Sequence, residues 1–132
     1  MKTLLLGAAV ALGLVAPAFA HHSPAAFETN KTVTLTGTVK EFRWQNPHSW
    51  IEIVVPNEKG QDVLWAVELT SPTYLVRSGW KSTTIKPGDK VTVVGRPLKS
   101  GEAGSAIFTS VTLADGRTLT ERPARLGGPS NR

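Results

Sequence analysis

Cysteine is absent from the 132 residues, and the only methionine is Met1. Without cysteine there is no disulfide framework, so a small domain must draw its stability from its hydrophobic core. Without sulfur ligands beyond the initiator, iron-sulfur and Cu(I) chemistry are excluded, and any metal must accept nitrogen and oxygen. Histidine is scarce too: His21 and His22 are adjacent, and His48 stands alone. No Gly-rich loop of the kind that cradles phosphate is found, and no Gly-x-Ser-x-Gly elbow. His48 and Ser49 are neighbours along a strand, so their side chains diverge, and no third group is at hand to orient them. Glu41, Glu52 and Glu68 occur singly at strand spacing and read as solvated charges. These gaps argue against an enzyme and leave no catalytic residue to name.

The front of the chain reads as an export signal. Lys2 is a short positive region, Leu4 to Val15 is an apolar run, and Pro17-Ala18-Phe19-Ala20 carries small residues where a signal peptidase inspects. The run is shorter than the roughly 20 residues that cross a bilayer, so the mature chain is expected to have no transmembrane segment. Cleavage after Ala20 makes His21 the first residue; a cut after Ala18 also satisfies the small-x-small rule. Residues 1–20 are thus assigned to the signal and the protein to the periplasm or the exterior. Removing 20 of 132 residues leaves 112, enough for one core but not two. Lys and Arg number 15 against 10 Asp and Glu, and loss of Lys2 takes the net charge from +5 to +4. So mild an excess, in an exported protein, leads to the expectation of no nucleic-acid partner.

Past a polar arm, residues 21–31, whose one large apolar residue is Phe27, the pattern turns to period two. Val33, Leu35, Gly37 and Val39 alternate with threonines, the mark of a half-buried strand. Phe42 and Trp44 then continue on the opposite parity, which requires a bulge near Lys40-Glu41. Gly37 gives the same strand a place to bend sharply. Ile51, Ile53 and Val55 mark a second strand, and Val63, Trp65, Val67 and Leu69 a third. Ser71-Pro72 starts a helix of about two turns that Gly79 stops. Val91 and Val93 lie in a fourth strand and Ile107, Val111 and Leu113 in a fifth, with Asp115-Gly116 as a hairpin that folds Arg117 to Thr120 back. Three strands, a short helix and two more strands is the order of a five-stranded OB-like Greek-key barrel, mainly β, placed at 32–120. A β-sandwich stays open as the other architecture. Residues 121–132, rich in Pro, Gly and Arg, read as a disordered tail.

Between the first two strands lies Trp44-Gln45-Asn46-Pro47-His48-Ser49-Trp50, a turn that Asn-Pro initiates. On the OB reading it is a ligand loop, and Trp44, Asn46 and Trp50 are the candidate ligand-binding residues. The two tryptophans either line a pocket or pack on each other. Trp65 reads as core, and Trp80 as closing the barrel beneath the helix. A mature terminus at His21 offers an α-amine and a ring nitrogen to one ion, His22 adds a second imidazole, and His48 can close the set. Such nitrogen ligands favour Cu(II) among divalent ions. The alternative is a solvated terminus and a turn histidine packed beside tryptophan. The arm reaches at most roughly 36 Å, while a straight first strand would span about 40 Å. A shared metal site of His21, His22 and His48 therefore needs a strongly coiled strand, with Phe27 anchoring the arm.

His21-His22-Ser23, the segment Thr34 to Val39 with Phe42 to Ile51, and Lys86 to Val93 with Val111 to Arg117 together resemble a family of short exported bacterial proteins of unknown function. That resemblance implies export and a single small β-domain, and it supplies no activity. The expectation is an exported, monomeric small-ligand-binding module with a Cu(II)-type site. Its alternative is a metal-free periplasmic module that contacts an envelope protein through the same loop.

Overall fold

The computed structural model describes residues 23–122. The expected signal, His21, His22 and the tail beyond Arg122 lie outside the described residues. A 3-10 turn, Pro24–Ala26, precedes the strands β1 (Val33–Arg43), β2 (Trp50–Pro56) and β3 (Asp62–Glu68). Helix α1 (Pro72–Arg77) follows, then β4 (Lys90–Pro97), β5 (Ser105–Thr112) and a short β6 (Thr118–Thr120). β1 pairs with β2 and β4, β2 with β3, and β4 with β5, all antiparallel. A parallel pairing of β3 with β5, Ala66 opposite Ser105, closes the ring. The result is the five-stranded OB-type barrel with one helix between its third and fourth strands, and β6 is the expected fold-back on β5.

β1 can serve two neighbours because it coils. Its first half, Val33 to Thr38, pairs with β4, and its second half pairs with β2. The register shifts between Val39 and Glu41, the bulge that the change of parity requires. At Gly37 the Val54 carbonyl oxygen occupies the place where a Cβ would stand, so only glycine lets the strands approach so closely.

Inside, Leu35, Val39, Ile51, Ile53, Val67, Val93 and Val111 form the buried wall of the barrel. Trp80 plugs it. Helix α1 begins at Ser71-Pro72 and ends with Gly79 at φ +87°, where Trp80 N–H returns to Leu75 O at 3.0 Å. That terminus drops the indole into the core, 1% exposed, against Phe108 at 5.6 Å and Phe42 at 5.9 Å. Its ring N–H donates to Thr120 O at 2.9 Å, which satisfies the one polar atom of the buried ring. Trp65 is likewise buried. Among the described residues no helix is long and apolar enough to cross a membrane.

Gly37→Ala must push the Val54 carbonyl aside, and overpacking of this kind is expected to lower stability by about 3 kcal/mol. Urea unfolding with an unchanged m-value checks it; an unaltered midpoint would show that β1 and β2 can separate freely there.

Candidate functional site

Past the bulge, even-numbered residues of β1 face inward, so Phe42 and Trp44 pack on the core while Glu41 and Arg43 turn outward. Arg43 pairs in register with Trp50, Trp50 with Glu68, and Glu68 with Ile107. These four side chains make one row across the outer face of β1, β2, β3 and β5. In the next row Glu52 stands opposite Ala66, and Ala66 opposite Ser105, so two small side chains lie side by side. Beyond them is Leu64, 45% exposed.

The row is held by charge. Arg43 Nη2 lies 3.0 Å from Glu52 Oε1, Lys40 Nζ lies 3.7 Å from Oε2, and the Arg43 guanidinium sits 5.7 Å from the Trp50 ring centroid. Glu52 and Glu68, read from sequence as solvated, are therefore paired: the first with Arg43 and Lys40, the second with His48. The Nε of Arg43 is buried without a hydrogen-bond partner among the described residues.

His48 stands at the end of this row, after the cis Asn46-Pro47 peptide. Its Nδ1 lies 3.2 Å from Leu69 O and 3.1 Å from Glu68 Oε1. Both neighbours only accept, so Nδ1 is placed to donate its N–H to Leu69 O beside the Glu68 carboxylate. The β2 and β3 backbones fix this arrangement beyond their ends, through Ser49 N–H to Thr70 O and Leu69 N–H to Ser49 O at 3.1 and 2.8 Å. Ser49 is fully buried on the inner side, and its hydroxyl has no partner among the described residues.

The residues expected to form the ligand loop are thus divided. Trp50 and His48 belong to the outer face, Trp44 packs edge-on against Phe42 at 5.7 Å on the core side, and Asn46 is exposed in the turn between them. Of the expected metal ligands only His48 is described, and among the described residues no group of three or more His, Asp or Glu is placed to hold an ion. Sequence reasoning missed Arg43 and Glu68 as members of the site, although the parity change at the bulge marks Arg43 as outward. It also missed Glu121, assigned to the tail. The Glu121 carboxylate accepts Thr70 N–H at 2.6 Å, and its carbonyl accepts the Ser78 hydroxyl. Burial pushes its pKa up against the pull of the Thr70 N–H.

Residues 9–107 match DUF6152, a family of unknown function. The chain belongs to this family. No curated protein matches this DUF6152 member. Among solved structures it is similar to the mitochondrial single-stranded DNA binding protein Rim1 from S. cerevisiae. The identity is 14% and the TM-score 0.47, over 64% of the DUF6152 chain and 93% of the other. This finding corrects the expectation that nucleic acid is excluded as a partner.

Two outcomes follow for the side chains behind the face. Ser49→Ala removes an orphaned hydroxyl and is expected to raise stability by about 1 kcal/mol; a loss of that size in thermal unfolding would reveal a bond to a bound water. For Glu121 the raised pKa means that the folded chain holds its proton more tightly than the unfolded chain. The corresponding stability is complete below the ordinary carboxylate pKa and is lost as pH rises through the folded value. Glu121→Gln should therefore unfold at a higher temperature than the parent at pH 7 and match it near pH 4. A gap that widens on acidification refutes the sign.

Proposed function

We propose that this domain is an exported binding module whose ligand site is the outer face of β2 and β3, with a divalent ion, Cu(II) by preference, held by His48 together with His21 and His22. One observation carries the reading: the His48 ring, 46% exposed, has its Nδ1 held at 3.2 Å from Leu69 O and 3.1 Å from Glu68 Oε1. Metal-bound histidines are oriented in this way, by a carbonyl or carboxylate on the second nitrogen, which also makes the ligating nitrogen more basic.

The docking of the arm supports the rest. Phe27 is 3% exposed and bridges Leu98, with Glu28 N–H on Pro97 O and Lys99 N–H on Ala26 O, at 2.8 and 2.9 Å. Pro97 is the register partner of Ala106, and Ala106 of Val67, one residue before Glu68. Three strand spacings, about 15 Å, thus separate the Phe27 bridge from β3. With Pro24–Ala26 in a 3-10 turn, the six residues from His21 to Phe27 span roughly 16 Å, comparable with that distance to β3. A small ligand bound beside the ion would rest on Ala66 and Ser105, between Trp50 and Leu64.

Calorimetric titration of Cu(II) into protein whose first residue is His21 tests this. Binding tighter than about 1 μM is expected, weakened at least tenfold in His48→Ala and by an added residue before His21. In Glu68→Gln a weakening of about tenfold is expected. Affinity that survives His48→Ala removes the loop from the site, and absence of binding leaves the face without its ion.

A further inference from the structure

A second place on the barrel carries an excess of positive charge. The turn 86–89 and the hairpin tip 113–117 meet above the start of β4 and leave an open cavity of about 220 Å³. Its apolar lining comes from Val91, Leu113 and Ala114; its charged lining is Lys86, Lys90 and Arg117 against Asp89 and Asp115.

Both carboxylates are already engaged. Asp115 accepts the Arg117 backbone N–H at 2.9 Å and its Nε at 2.7 Å, bonds that hold its pKa below the ordinary value. Asp89 accepts the Lys86 backbone N–H at 2.9 Å, which shapes the turn. The ammonium groups are not matched in the same way. Lys90 Nζ has only the neutral Thr38 hydroxyl, and Lys86 Nζ has no partner among the described residues. The turn that carries them is itself fixed, because Gly88 N–H donates to Val39 O and Val39 N–H donates to Asp89 O, at 2.8 and 2.9 Å. Three cations against two carboxylates leave a net charge of +1, and with Lys86 Nζ unpaired among the described residues above an apolar lining the cavity suits an anion with an apolar body. The volume lies below the roughly 300 Å³ at which pockets for drug-sized ligands begin, so that body is small.

We propose that this cavity binds a small organic carboxylate, Lys86 and Lys90 taking the carboxylate and Val91, Leu113 and Ala114 taking the apolar part. Benzoate is a suitable probe, followed by amide-resolved NMR titration of the full chain. Saturable shifts are expected at Lys86, Lys90, Leu113 and Arg117, with benzamide binding at least about tenfold more weakly because it lacks the charge. Inorganic phosphate should also bind more weakly, since it cannot use the apolar lining. The double variant Lys86→Gln with Lys90→Gln should lower benzoate affinity about tenfold, close to 1.4 kcal/mol. Both side chains are exposed, so the fold should tolerate the change. Ala114→Glu, also exposed, sets a like charge in the lining and should abolish the shifts. The proposal is overturned by shifts that do not saturate or that map elsewhere, by benzamide or phosphate binding as well as benzoate, or by affinity unchanged in both variants.

Discussion

The barrel depends on β1 being shared between two partners. A strand that pairs with β4 through its first half and with β2 through its second must turn through the sheet, and an ordinary strand resists that. Gly37 supplies the close approach to Val54, and the bulge after Val39 supplies extra twist. Once β1 is coiled, β2 with β3 and β4 with β5 are carried round until β3 and β5 meet. That last contact is parallel, which a hairpin cannot make; it needs a crossover, and α1 with β4 forms it. Trp80 then fills the end of the cylinder that α1 spans.

The same bulge decides the chemistry of the outer surface. Ahead of it, Leu35 and Val39 face inward on odd numbers; beyond it, Phe42 and Trp44 do so on even ones. With no bulge, Glu41 and Arg43 would point into the core, where an unpaired charge is costly. Outside, Arg43 is instead set over Trp50 and against Glu52. His48 and Glu68 follow from the next register pair, since Trp50 opposite Glu68 brings Ser49 alongside Leu69, and the preceding residue, His48, then reaches Leu69 O with its Nδ1. A local device for closing the barrel is thus also what assembles the row of cation, aromatic ring, carboxylate and imidazole.

Much of this is legible in the sequence because it is local. Alternation gives the strands, a slip in parity gives the bulge, and Ser71-Pro72 with Gly79 gives the helix and its end. What cannot be read is whatever the register fixes. Trp44 and Trp50 flank one turn and look like a pair, yet parity places the first on the core and the second on the outer face. Glu68 looks isolated because its partner is 20 residues away and comes alongside only when β2 pairs with β3. Glu121 follows a Thr-rich strand and precedes Pro, Arg and Gly, so composition assigns it to the tail. Its bond to Thr70, 51 residues distant, exists because β6 brings the chain back over the end of β3.

A comparison of the barrel's two outer faces shows why the face of β2 and β3 carries the functional reading. On the other side, Thr36, Thr92, Thr112 and Thr118 are register partners across four strands. Their hydroxyls bond in pairs, at 3.1 Å for Thr36 with Thr92 and 3.0 Å for Thr112 with Thr118. Threonine suits a pleated, half-exposed surface, so that face is what stability alone selects. The face of β2 and β3 is built otherwise. It holds a guanidinium whose Nε is desolvated without a partner among the described residues, a loss of roughly 1–3 kcal/mol. Beside it are an indole and an imidazole whose Nδ1 is held between two acceptors. A barrel able to satisfy one wall with threonine had no structural need for such groups on another. Departures from the locally stable choice mark places where something other than the fold is being served.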